Sequence, residues 1–447
     1  MILAALLFSY AGSIPLPFRV HGDASDYMII ADRFLSLGDA FNYVGNRTYG
    51  YPLFLYIIKA MGVPDGREEW VSQISYCQFV IHLCACMAFY TAFLKDLFQR
   101  SKLPDVVAPF VAAALMAFPS LVTYTTVPLT DTFCADILMM AAAVHSMGHR
   151  YAGGQATFIL SVACGVLLGY AVLVRPSLGL GVIAFYGVEF YGLFLNRKKW
   201  RSPAVKSLLM VMATLTLILP AMWNVWEMQG TVGLQNKDFV QVSVHDSMQR
   251  GLSAVRVYWP AGDATQDPLP GVRDPYLDAV YGEECTVDSV FSLATCLLSQ
   301  PHALPAYFVK KSIAIFDVPH IQPYALELTP DWFVPLERVF GTVSFCGLIS
   351  VLVMICSRSS GRQKSPWIGG EWVALVLALT LLHSLLHIEG RYSFPLVPFL
   401  LPSLFLGFSA ARKAGRRFYM GWLLSIFVAG MCFVYQVSIW DTLPPTR

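Results

Sequence analysis

The sequence predicts an all-α polytopic membrane protein, and three observations lead there. The 447 residues are 56% hydrophobic and only 13% charged, about half the charged fraction of a soluble globular chain. Apolar runs of roughly 20 residues, the length that crosses a bilayer as a helix, recur along most of the chain. Lysine and arginine gather in alternate short loops, which orients those runs. The composition excludes a disordered chain, a disulfide-dense miniprotein and a collagen-like fibre. With 31 basic against 29 acidic residues, the charge balance gives no sign of a nucleic-acid partner.

About eleven spans follow from the apolar runs. They cover residues 1–18, 72–93, 106–122, 133–147, 157–174, 178–195, 208–225, 339–356, 372–387, 396–408 and 419–438. With the N-terminus inside, the inner loops collect Lys95, Arg100 and Lys102, then Arg150, then Arg197–Lys199, Arg201 and Lys206, then Arg358, Arg362 and Lys364, then Arg412, Lys413, Arg416 and Arg417. The other side collects Asp23, Asp26, Asp32, Asp39, Asp65, Glu68, Glu69 and Asp131. This alternation requires that the short run 51–63 does not cross. The expected organisation is an N-terminal module over 1–225 that includes an outside loop at 19–71, an extracytoplasmic cap over 226–335, and C-terminal spans over 336–447. The N-terminal run lacks a basic leader and reads as an anchor.

Two interfacial helices are expected in the first outside loop. One presents Tyr27, Ile30, Ala31 and Phe34 at helical spacing, with Asp23 as its N-cap, Asp26 at its third position and Gly38 at its end. The other enters at Gly50-Tyr51-Pro52 and presents Leu53, Phe54, Ile57 and Ile58. Of the ten cysteines, only Cys285 and Cys296 fall in the outside cap. They share an oxidising compartment, so a disulfide is open to them.

Polar residues near the outer face are the candidates for chemistry. Asp23 can act as a general base or simply as a helix cap. Asp131, in Pro128-Leu129-Thr130-Asp131, has the same two readings. Asp136 is an intramembrane acid, a functional suspect that a neighbouring Ser, Tyr or Arg could equally satisfy. Arg175, in Val174-Arg175-Pro176-Ser177, binds an anionic ligand or snorkels to headgroups. His383 and His387 share a helix face with Glu389 and Arg391 following. No His-Glu-x-x-His arrangement is present, so a His387/Arg391 contact to phosphate is preferred to a metal site. Lys310, Lys311 and Arg47 are further cations on that side. Polar groups at the outer face, not the midplane, argue against a transporter.

Four stretches carry a family resemblance: Gly22-Asp23-Ala24-Ser25-Asp26-Tyr27, Tyr49-Gly50-Tyr51-Pro52-Leu53-Phe54-Leu55, Leu173-Val174-Arg175-Pro176, and Glu389-Gly390-Arg391-Tyr392-Ser393-Phe394-Pro395-Leu396. In this order they resemble the type C (GT-C) glycosyltransferase superfamily, within it the protein O-mannosyltransferase and aminoarabinose transferase branch. Asp23-Ala24 departs from the adjacent Asp-Glu pair of the O-mannosyltransferases. The resemblance implies an inverting transfer of a hexosyl or pentosyl group from a polyprenyl-phosphate donor to a lipid, glycan or protein acceptor. Asp23 would be the base and Asp131 the second acid. Arg175, Lys310, Lys311, His387 and Arg391 would hold donor phosphate, and Asp26, Tyr27, Arg47 and Tyr51 would stand on the acceptor or sugar side. Thr130-Asp131-Thr132 lacks a second acid, so neither metal nor cofactor is implied. The expected location is a bacterial inner membrane, among membrane lipids, with the site extracytoplasmic. A flippase or transporter of a lipid-linked glycan, or a glycan ligase or polymerase, are the alternatives.

Overall fold

The computed structural model describes residues 1–20, 22–62, 66–150, 155–195, 201–257, 271–282, 285–318, 320–321, 328–359, 370–385 and 390–443. It is an all-α membrane protein. Among the described residues the one sheet is an antiparallel pair, Ala254–Val257 against Gly271–Arg273.

Five described stretches are helical, long and apolar enough to cross a membrane: Arg67–Arg100, Gln155–Val174, Pro203–Gln229, Phe333–Ile355 and Arg416–Asp441. Other apolar helices are shorter, among them Ile2–Gly12, Val107–Met116 and Gly370–Leu385. Proline explains two of the interruptions. The first expected span breaks before Leu16-Pro17, and the run 106–122 breaks at Phe118-Pro119, where a new helix starts with Pro at its first turn. Helices Gln155–Val174 and Arg201–Gln229 pack at Gly165 and Gly169. A Cβ on Gly165 would clash with the Met210 carbonyl oxygen, whose carbon would lie 2.8 Å away, and one on Gly169 would stand 2.9 Å from Thr214 O. Small residues four apart allow backbones this close inside a membrane. Thr214 Oγ1 uses that closeness to donate to Gly165 O at 2.8 Å.

The loop expected outside, residues 19–71, holds helices Asp23–Asp32 and Gly50–Ala60. Tyr27, Ile30, Ala31 and Phe34 are buried, as the helical spacing predicts. Three local expectations are corrected. Gly38 does not end the first helix. That helix stops at Arg33, and Gly38 lies inside a separate turn, Leu37–Phe41, started by a Ser36/Asp39 capping box. In the second helix the core face is Tyr51, Leu55 and Ile58, while Ile57 is 44% exposed. Asp23 is not a cap: Gly22, at φ +49°, precedes the helix, and Asp23 is its first residue. Its carboxylate is therefore not consumed in capping.

Asp136 pairs through one carboxylate oxygen with a histidine, a partner type not anticipated. His82 Nδ1 lies 2.7 Å from Asp136 Oδ1, both fully buried. The described part of residues 226–335 comprises helices Lys237–Gly251, Pro275–Tyr281, Val290–Ser299 and Leu304–Ile315 with the small sheet. Cys285 and Cys296 are joined by a disulfide. The region is tied to the last helix through Asp274, which accepts from Gln436 Nε2 at 3.2 Å and Trp440 Nε1 at 3.0 Å.

Candidate active site

Short non-α segments at residues 125–129, 175–177 and 390–396 meet around the Asp131, Arg175 and Arg391 side chains, and buried polar side chains hold the first of them. Residues 125–129 precede Asp131 with little regular structure, so their carbonyls need partners. Gln78 Nε2 donates to Thr125 O and Val127 O, both at 3.0 Å, and Arg19 Nε donates to Thr126 O at 3.0 Å. Tyr51 Oη donates to the remaining Gln78 oxygen at 3.0 Å. Burial pushes the Tyr51 phenol well above its ordinary range, so it stays a neutral donor. The helix Gly50–Ala60 rests directly on the Arg175 turn. Tyr170 Oη donates to Gly50 O at 3.0 Å, and a Cβ on residue 50 would stand 2.6 Å from the Leu173 carbonyl. Only glycine permits that approach.

On this frame the acids and arginines alternate. Arg47 Nη2 pairs with Asp23 Oδ1 and reaches Asp26 Oδ2 at 3.4 Å. Arg391 Nη2 donates to Asp23 Oδ2 at 2.9 Å, and Arg391 Nη1 to Asp131 Oδ2 at 3.5 Å. Arg175 Nη1 pairs with Asp131 Oδ1. One guanidinium thus bridges carboxylates more than a hundred residues apart, and the arginine bearing it lies 260 residues beyond Asp131. Access is graded along the row. The side chain of Asp131 is 2% exposed, Asp23 19% and Asp26 56%. Asp23 is the acid of the Arg391 bridge that is open to an incoming molecule.

Aromatic rings line the row. The Arg47 guanidinium sits 5.5 Å from the centroids of Tyr27 and Phe239, and Arg175 sits 4.7 Å from Tyr392. Tyr27 meets Tyr51 edge to face at 5.1 Å. Sequence reasoning missed Gln78, Phe239 and Tyr392. Tyr392 adjoins Arg391 and could have been suspected. Phe239 is brought in from beyond residue 226, where Asn236 N donates to Gly45 O at 2.9 Å beside Arg47. His383 is buried and stacks on Tyr392 at 5.0 Å, and neither ring nitrogen has a hydrogen-bond partner among the described residues.

No family model matches the chain, and no curated protein does. Solved structures do. A crystal structure of the Archaeoglobus fulgidus oligosaccharyltransferase tethered with an acceptor peptide containing the NVT sequon matches 98% of this chain at 10% identity, with a TM-score of 0.50. The chain shares the fold of the membrane part it matches in this oligosaccharyltransferase. Two further structures match all of it at 11% identity and a TM-score of 0.48. They are the archaeal oligosaccharyltransferase AglB from Archaeoglobus fulgidus in complex with an inhibitory peptide and a dolichol-phosphate, and the Archaeoglobus fulgidus enzyme in complex with Zn and sulfate. The chain spans 54–56% of the length of these proteins.

Within this fold the other candidate residues fall elsewhere. Lys310 Nζ is held by both Asp274 oxygens, at 2.9 and 2.7 Å. Lys311 is fully buried and donates to Ala254 O at 2.9 Å. Burial lowers its ammonium to about 7. Neither lysine is joined to the acidic row, since each meets a local need of the small sheet and the helix after it. His387 and Glu389 lie outside the described residues.

Proposed function

We propose that the chain is a membrane glycosyltransferase that moves a sugar from a polyprenyl-phosphate donor to a hydroxyl or amide acceptor at the face bearing Asp23, with inversion. The observation that carries this reading is Arg391 spanning Asp23 and Asp131. A sugar on a lipid phosphate leaves readily if the departing phosphate is charge-stabilised, and guanidinium groups do this with paired hydrogen bonds. Three acids already neutralise three arginines in the resting site, so an arriving phosphate has to draw an arginine away from a carboxylate. If Arg391 turns to the phosphate, Asp23 loses a cation and becomes a better base. The acceptor then gives its proton to the Asp23 carboxylate as its heteroatom bonds to the anomeric carbon. The carbon–oxygen bond to phosphate breaks, and its electron pair leaves on the phosphate. Arg175 and Arg391 are the phosphate ligands in this scheme, with Asp131 orienting both. The reading does not use Lys310 or Lys311.

The test is transfer itself. Purified protein is incubated with labelled polyprenyl-phosphate monosaccharides and, separately, with lipid-pyrophosphate oligosaccharides, each with membrane extract as acceptor source. Transfer from the monophosphate donors alone is expected. Transfer from the oligosaccharide donors alone would make the chain a glycan ligase. Transbilayer movement without transfer would make it a flippase.

A further inference from the structure

The helix Thr130–Arg150 carries Asp131 in its first turn and His145 and His149 near its end. At about 1.5 Å per residue the two histidines stand roughly 20–27 Å from Asp131 along the axis, at the opposite end of the bundle from the acidic site. They lie one turn apart on one face. Glu189 approaches them from helix Leu178–Leu195. His145 Nε2 lies 3.1 Å from Glu189 Oε1 and 3.2 Å from His149 Nε2. One ligand atom of each residue falls within 4.8 Å of the others. We propose that His145, His149 and Glu189 form a binding site for a divalent transition metal ion of the zinc type.

The donor set is two imidazoles and a carboxylate, which suits zinc. The spacing suits it as well. Zinc bonds of about 2.0–2.1 Å in a tetrahedron place ligand atoms about 3.3–3.4 Å apart, within a few tenths of an ångström of the two edges given above. Two imidazoles facing each other through Nε2 need either a shared proton or a cation between them. A supporting shell is present. Glu371, from the start of helix Gly370–Leu385, lies 3.9 Å from His145 Nδ1, where it favours a proton on Nδ1 and leaves Nε2 free. Ser207 Oγ donates to Glu189 Oε2 at 3.2 Å, orienting the third ligand. The cluster opens into a cavity of about 80 Å³, room enough for water at a fourth position. His149 is exposed, which gives the ion a way in. Lys206 also lines the cavity, and the carboxylates of Glu189 and Glu371 offset its charge. An ion held here clips helices Thr130–Arg150 and Leu178–Leu195 together at the end remote from the acids.

The test uses the full chain without a histidine tag, in detergent, stripped with a chelator and titrated with Zn²⁺ by calorimetry and with Co²⁺ by visible absorption. One ion per chain and the intense visible bands of tetrahedral cobalt are expected. His149→Ala, at an exposed position, should keep the apo melting curve and weaken Zn²⁺ binding by at least about 100-fold, more than the roughly 10–100-fold expected of Glu371→Gln, which removes a supporting partner. Absence of stoichiometric binding, or binding by His149→Ala within a few-fold of the parent, overturns the proposal and leaves a proton-sharing histidine pair. Neither readout depends on glycosyl transfer.

Discussion

Arg391 couples the two acids, and only a forked side chain does so from one position. Lysine at 391 offers a point charge and loses one arm of the bridge. Arg391→Lys should lower transfer by about 10- to 100-fold, the worth of one charge-assisted hydrogen bond of about 1.5–3 kcal/mol, with near-normal expression. Wild-type donor affinity in that variant would make the arginine structural. Lys311 gives a pH prediction. Its folded-state ammonium titrates near 7, against about 10.4 in an unfolded chain. Between those values the unfolded chain binds more protons, so stability rises with pH from about 7 upward, by up to about 1.4 kcal/mol per unit, and is flat below. Amide exchange of strand Ala254–Val257, compared with Lys311→Met at each pH, should show the native strand gaining relative protection from pH 7 to 10. A pH-independent difference contradicts this.

The elements that position the site test its geometry. Gly50→Ala places a methyl 2.6 Å from the Leu173 carbonyl and must lift the second loop helix off the Arg175 turn. A shift of about 1 Å can cost on the order of 100-fold in rate, so transfer should fall by about 10- to 100-fold in a protein that still expresses. Unchanged transfer would show that this contact does not set the catalytic geometry. The disulfide Cys285–Cys296 closes an 11-residue separation and should stabilise its region by about 3 kcal/mol on chain-entropy grounds. A non-reduced digest should yield the two peptides linked, and freely alkylated thiols would refute the bond. Period and punctuation made several elements legible in advance. Tyr27, Ile30, Ala31 and Phe34 announced a buried face, and Gly50-Tyr51-Pro52 announced a helix start. The Ser36/Asp39 box was overlooked because Gly38 looked like a terminator. Asp23 was misplaced by one position because Gly22, with its positive φ, supplies the turn.

At the scale of the whole molecule, the apolar composition and alternating basic loops made the all-α membrane class legible. Proline breaks and short helices hide the number of crossings from hydropathy alone. The sidedness is testable: Glu69→Cys and Arg412→Cys, both on exposed positions, should react with an impermeant maleimide from opposite faces, and equal reaction from one face would end the topology. The site was legible as residue types, since Asp23, Asp131, Arg175 and Arg391 stood out singly. Their pairing was not, because it depends on contacts across as many as 368 residues that no local pattern encodes. Lys310 and Lys311 were indistinguishable from phosphate ligands until the helix start after the small sheet supplied Asp274, and the sheet Ala254, as their partners. In the proposed reaction Asp23, released by Arg391, takes the acceptor proton. The measurement is transfer from a labelled polyprenyl-phosphate sugar by wild type, Asp23→Asn and the more exposed Asp26→Asn, with donor binding measured in parallel. Asp23→Asn is expected still to bind donor but to lose transfer by at least about 100-fold, while Asp26→Asn loses far less. Transfer by Asp23→Asn within a few-fold of wild type would contradict it.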